Sequence, residues 1–152
     1  MKTYDLVGIG NAVVDVISHS DDAFLDNMGI EKGIMQLVPQ DRAEQLYAAM
    51  DDRVQTPGGA VANTVAGVGA LGLNTAFIGR VRDDGLGRFY ANAMTDNGID
   101  FVNVPVTDGD TPTSRSMIFV TPDGERSMNT YLGISTGLSS ADVPAPVAGN
   151  AK

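Results

Sequence analysis

The sequence predicts an α/β fold, a parallel-sheet core carrying a small β-sheet lid. Three observations point to it. Apolar runs with strand character alternate with helical stretches through the middle of the chain, the order that builds a parallel sheet. Runs near 13–18, 34–38, 113–121 and 126–131 also have strand character, but no helix follows them, so they read as a separate sheet over the ligand edge. Finally, two adjacent glycines, Gly58-Gly59, stand directly before a helix rich in alanine, glycine and valine.

In chain order, Tyr4 to Gly10 is a buried strand with a glycine-rich end, and Val13 to Ser18 resumes as a second strand after the Asn11-Ala12 turn. A short helix is expected around Ala23 to Met28 and a short strand at Ile34 to Val38. Ala43, Leu46, Tyr47 and Met50 recur at helical spacing within Gln40 to Met50. Val54 to Thr56 is a brief extended piece before the glycine pair. Ala60 to Leu71 forms a helix whose small residues (Ala62, Ala66, Gly69, Ala70) leave a thin face for close packing on a sheet, with Gly72 as its stop. Thr75 to Gly79 is a strand, Leu86 to Asn97 a helix ended by Gly98, and Phe101 to Val106 another strand. Pro122-Asp123-Gly124-Glu125 is a hairpin turn between the last two strand-like runs. Beyond Gly133 the pattern fades: Ser139 to Asp142 supports one capped helical turn, and Pro144 and Pro146 interrupt it. With no further strand before Lys152, the core sheet would keep an open edge, and the chain reads as the N-terminal portion of a longer protein.

Composition narrows the function. The 152 residues carry a net charge of −9, with no clustered basic face for a phosphate backbone or an anionic membrane surface. There are no cysteines, which removes disulfides, thiolate metal sites and a cysteine nucleophile, and one histidine cannot build a histidine-rich metal site. No apolar run approaches membrane-spanning length, and Asp5 and Asp15 interrupt the N-terminus as a signal peptide, so cytoplasm is the expected compartment.

The candidate site residues are polar groups at strand ends. Paired glycines let backbone N–H groups approach a ligand where a Cβ would collide, and the helix behind them adds unpaired donors. Asn63 lies about one turn into that helix, facing back toward Gly58 and Gly59. Asp15 sits among Val13, Val14, Val16 and Ile17, and a carboxylate in such surroundings needs partners; ligand hydroxyls are good ones. Asn11 and Asn63 both donate and accept, which suits a polyol. The competing reading from residues alone is that Asp15 caps a turn and Asn63 bonds nearby backbone. Gly8-Ile9-Gly10 begins like a dinucleotide fingerprint, but Val13 replaces the third glycine and a strand follows, so a dinucleotide-binding enzyme is the weaker alternative. No Gly-Lys-Ser/Thr follows Gly59, which excludes a Walker loop.

Taken together, Gly10-Asn11-Ala12-Val13-Val14-Asp15, Gly58-Gly59-x-x-x-Asn63, the Phe77 to Gly87 segment with Asp83-Asp84, Thr111-Pro112-Thr113 and Asp123-Gly124-Glu125-Arg126-Ser127 resemble the PfkB (ribokinase-like) carbohydrate kinases. Met35-Gln36-Leu37-Val38 and the spacing after Asn11 lean toward the adenosine-kinase-like branch. The resemblance covers essentially the whole chain. It implies transfer of the ATP γ-phosphate, with Mg²⁺, to the hydroxymethyl group of a sugar or nucleoside. It also implies that residues matching Asn11, Asp15, Gly58, Gly59 and Asn63 bind the hydroxyls, and that the glycine pair is the hinge of a closing lid. Gln36 and Val38 match lid positions facing the substrate. Arg126 matches an arginine brought toward the transferring phosphate; without the resemblance it reads as a solvent-facing hairpin charge. Pairing of two lids into a homodimer is a further implication.

Two departures stand out. Arg82 occupies a position where many members have glycine, and the Gly-Ala-Gly-Asp signature that carries the proton-accepting aspartate is absent. The ATP-binding half and the catalytic base are therefore expected beyond Lys152, and these 152 residues alone are expected not to turn over. A non-catalytic sugar- or nucleoside-binding module with the same cradle is the alternative.

Overall fold

A computed structural model describes residues 4–152. Its helices begin and end where short polar side chains and glycines allow. Asp21 accepts from the Phe24 N–H at 2.8 Å and opens α1 (Asp22–Met28), and Gly29, at φ 66°, closes it. The other main helices are α2 (Gln40–Ala48), α3 (Ala60–Ala70) and α4 (Gly85–Asp96). The strands are β1 (Leu6–Ile9), β2 (Val13–His19), β3 (Met35–Leu37), β4 (Val54–Gly58), β5 (Thr75–Ile78), β6 (Asp100–Phe101), β7 (Ser114–Val120) and β8 (Arg126–Tyr131).

They form two sheets. The first, β1-β5-β6, is parallel throughout, and α3 and α4 pack on it. Close approach of α3 depends on glycine in the strand as well as on small residues in the helix. A Cβ on Gly8 would run into the Val61 and Val65 side chains, and one on Gly69 would sit 3.1 Å from Thr75 Oγ1.

The second sheet has the order β3-β8-β7-β2-β4. Alternation along β2 sends Val14 and Val16 to one face, where they join Met117, Phe119, Leu25, Ala43 and Leu46 in the core beneath α1 and α2. Phe24 of α1 packs on Phe119 with ring centroids 5.4 Å apart. The other face carries Val13, Asp15 and Ile17.

Three details differ from the expectation. The extended piece at Val54 to Thr56 runs on through Gly58 and pairs antiparallel with β2, so the second sheet has five strands. Pro57 is tolerated because β4 lies at the sheet's edge. β6 covers two residues only, because Asn103 Oδ1 takes the Gly79 N–H at 3.1 Å in place of a continued ladder. In the tail, Ala145–Ala148 forms a helical turn, α5, despite its prolines, which stand at the start where an N–H has no intrahelical acceptor. Ala151 then bridges Tyr4 in parallel, two residues ahead of β1, while β1 itself remains an edge strand of the first sheet.

The sheets are also joined through Asp84, the N-cap of α4. Its Oδ1 accepts from Gly87 N–H at 2.8 Å and from Thr113 Oγ1–H at 2.7 Å, while Oδ2 accepts from Thr113 N–H at 3.0 Å. Asp84→Ala removes a helix cap and leaves the Thr113 N–H without its acceptor, and is expected to lower stability by roughly 2–3 kcal/mol. A urea titration checks this as a lower midpoint with an unchanged slope.

Candidate functional site

Two of the passages between the sheets, Gly10 to Ala12 and Gly58 to Gly59, lie side by side, and the candidate site is built there. Gly59 has φ 104° and ψ 136° and precedes α3 without any side-chain cap. A Cβ on Gly59 would run into the Asn11 carbonyl. A Cβ on Gly58 would fall 2.6 Å from Asp15 Oδ1. Each glycine is therefore required by one of the polar residues singled out near the N-terminus, Asn11 in the turn and Asp15 in β2.

A depression of about 380 Å³ opens on this face of the second sheet. Asp15, Gly59 and Asn63 line it together with Ser116 and Thr130, whose hydroxyls lie 2.9 Å apart. Val13, Ala60, Met35 and Met128 supply its apolar wall. Met35 and Met128 are register partners on β3 and β8.

Asp15 is half-buried, and no described residue donates a hydrogen bond to its carboxylate. Burial pushes its carboxyl above the usual carboxylate range, and the positive charge of Arg126 partly offsets this. Asn63 is exposed, with its backbone N–H bonded to the Gly59 carbonyl at 2.9 Å and its side-chain amide open to the depression. Asn11 is exposed beside Gly59. Arg126 is exposed at the start of β8, on the Asp15 face by register, four residues along from Thr130.

Gln36 is not brought to this site. It pairs with Asn129, and its Nε2 donates to the buried Asn129 Oδ1 at 3.3 Å on the opposite face of the sheet. Val38 shares that parity and packs against the core. The side chains that β3 presents toward Asp15 are Met35 and Leu37, one residue to either side of Gln36. Ser116, Thr130, Met35 and Met128 were not anticipated as site residues. The alternation of β7 and β8 was visible in the sequence, but their register against β2 was not.

The adjacent aspartates do not make a metal site. Asp83 Oδ1 pairs with Arg88 at 3.0 Å, and both Asp84 oxygens are already engaged. Among the described residues no group of three or more His, Cys, Asp or Glu side chains is placed to hold a metal ion. No helix among them is long and apolar enough to cross a membrane.

A half-buried acceptor, an open amide and paired hydroxyls beside an apolar wall suit a ligand that combines hydroxyl groups with an apolar surface. Comparison with known proteins agrees with that chemistry. The family model described as pfkB family carbohydrate kinase matches residues 29–151. Fructokinase-1 of Oryza sativa subsp. japonica is 40% identical over 78 residues, which are 51% of this chain and 24% of that protein. Aminoimidazole riboside kinase of Salmonella typhimurium is 39% identical over 94 residues, 60% of this chain and 29% of the relative. The crystal structure of adenosine kinase from Sinorhizobium meliloti superposes with a TM-score of 0.88 at 48% identity, covering 99% of this chain and 46% of the other. The chain thus spans less than a third of these two curated relatives and just under half of the solved structure.

Proposed function

Because this chain belongs to the pfkB family of carbohydrate kinases, with the ribokinase-like α/β fold, we propose that it forms the acceptor site and lid of a nucleoside kinase. The reaction proposed for the full-length protein is transfer of the ATP γ-phosphate to the hydroxymethyl group of a nucleoside. The observation that carries this reading is the Asp15 carboxylate: half-buried, without a donor among the described residues, and set over Gly58 in a depression with a methionine wall. Asp15 accepts from sugar hydroxyls, the amides of Asn63 and Asn11 bond others, and the glycine pair leaves room for the ribose. Met35 and Met128 give a flat base a polarisable apolar surface that a free sugar would not use. Arg126 stands on the same face and is assigned to the transferring phosphate.

ATP is the family's donor and Mg²⁺ its usual companion. The residues here do not fit a metal site, since Asp83 and Asp84 are engaged within the protein. The ATP loops, the metal ligands and the proton-accepting base are assigned to the part of the full-length protein beyond Lys152. What this chain contributes is binding, orientation and, on lid closure, exclusion of water from the acceptor.

The test is an acceptor panel on the full-length protein with adenosine, ribose and fructose. Adenosine is expected to have the highest kcat/KM, and Met35→Ala to raise the adenosine KM about tenfold while leaving ribose within about twofold. A preference for fructose, or equal effects of Met35→Ala on both acceptors, would sink the nucleoside assignment.

A further inference from the structure

We propose that Tyr90 is a positioning residue for acceptor binding, its hydroxyl tying the end of β4 to α4 so that Gly58 stays beneath the Asp15 carboxylate. The inference rests on the kinase reading above and adds to it a residue outside the depression. Tyr90 belongs to α4, which packs on the first sheet, and its side chain is fully buried. Its Oη donates to the Gly58 carbonyl at 3.0 Å, across 32 residues of sequence. Phe101 meets the ring edge-on at 5.7 Å and Phe77 lies at 6.3 Å, so the ring is fixed independently of the hydroxyl.

The position of this bond gives it its consequence. β4 is the edge of the second sheet, and Gly58 and Gly59 are where the chain leaves it for α3. Neither glycine has a side chain to pack, and Gly59 has the backbone freedom of a hinge. Among the described residues, the Tyr90 hydroxyl makes the side-chain hydrogen bond that holds this joint. Asp15 leans over Gly58 so closely that a Cβ there would overlap its carboxylate, so a shift of Gly58 is a shift of the surface on which Asp15 rests. Burial and the negative charge of Asp15 both push the Tyr90 hydroxyl above its ordinary value, keeping it a donor. Without the hydroxyl the joint loosens and Asp15 samples more positions. Acceptor binding then weakens, while the reacting groups, once the acceptor is bound, are unchanged.

Tyr90→Phe keeps the ring and removes only the bond. In the full-length protein it is expected to raise the acceptor KM roughly tenfold with kcat within about twofold of wild type, and to speed amide exchange over residues 58–61. Tyr4→Phe is the control: it removes a comparable bond, Tyr4 Oη to Asp100 Oδ2 at 2.7 Å, far from the joint, and should leave the acceptor KM and that exchange unchanged. An acceptor KM within about twofold of wild type in Tyr90→Phe, or an equal rise in Tyr4→Phe, overturns the proposal. If the wild-type protein phosphorylates no sugar or nucleoside, the kinase reading fails by itself. The tether is then judged by exchange alone: acceleration at residues 58–61 in Tyr90→Phe upholds it, and unchanged exchange overturns it.

Discussion

Replacing Asp15 with alanine is expected to abolish acceptor binding, weakening it by at least about a hundredfold, while the protein stays folded and becomes slightly more stable at neutral pH. The two effects share one cause. The carboxylate is half-buried and receives no hydrogen bond from the described residues, so it is held ready for ligand hydroxyls at a cost to the unliganded fold. Its carboxyl is raised above the unfolded value, and the sign of the pH dependence follows. The folded state binds this proton more readily than the unfolded state, so the penalty is full above the folded pKa and disappears below the unfolded one. Stability contributed at this position therefore rises as pH falls through the raised value. Acceptor affinity moves the other way, because the ionised form accepts at both oxygens through charge-assisted bonds, whereas protonation turns one oxygen into a donor and weakens the other as an acceptor. Isothermal calorimetry of adenosine binding across pH, beside thermal melts of wild type, Asp15→Ala and Asp15→Asn, measures both slopes. Affinity retained within a few-fold in Asp15→Asn would remove this residue from the site.

The second large effect is expected at the glycine pair, where two alanine substitutions should separate binding from folding. Gly58→Ala places a methyl group against the Asp15 carboxylate, which must swing away. Acceptor binding should fall about as far as in Asp15→Ala, with only a modest change in melting temperature. Gly59→Ala acts on the backbone instead. Alanine at φ 104° is strained, and its methyl group meets the Asn11 carbonyl, so a loss on the order of 2–4 kcal/mol of stability is expected along with the loss of binding. Denaturant titration and calorimetry on both variants check this; equal destabilisation by the two would mean that the Asp15 carboxylate cannot swing away from the new methyl group.

What could be read from the sequence followed physical locality. Gly58, Gly59 and Asp15 were visible because paired glycines before a helix and an aspartate among valines are unusual within a few residues of chain. The helix ends were visible for the same reason, as at Gly72 and Gly98, where a positive φ demands the residue found there. Parity was the weak point. In a three-residue strand such as Met35–Leu37 nothing local says which side chain faces the ligand, and pairing with β8 about ninety residues later decides it. Gln36 was placed at the site on resemblance, and that pairing turns it to the core face. Val54–Gly58 was read only as far as Thr56; Pro57, which has no N–H to give a ladder, is accommodated because this strand is an edge, and the edge is set by distant pairing. Tyr90 carried no signal at all, since in an amphipathic helix it reads as one more apolar position.

The central pairing of the second sheet also governs how the chain is made. β2 is synthesised early, yet its parallel partner β7 begins about a hundred residues later, and only β4 arrives in between. Until β7 leaves the ribosome, one long edge of β2 stays unpaired and the Val14 and Val16 face stays incompletely covered. Closing so distant a pair is slow, and a nascent strand that waits with a bare edge is the species that misassembles with its neighbours. Yield of active protein should therefore depend on translation speed and chaperone supply more steeply than equilibrium stability alone would suggest.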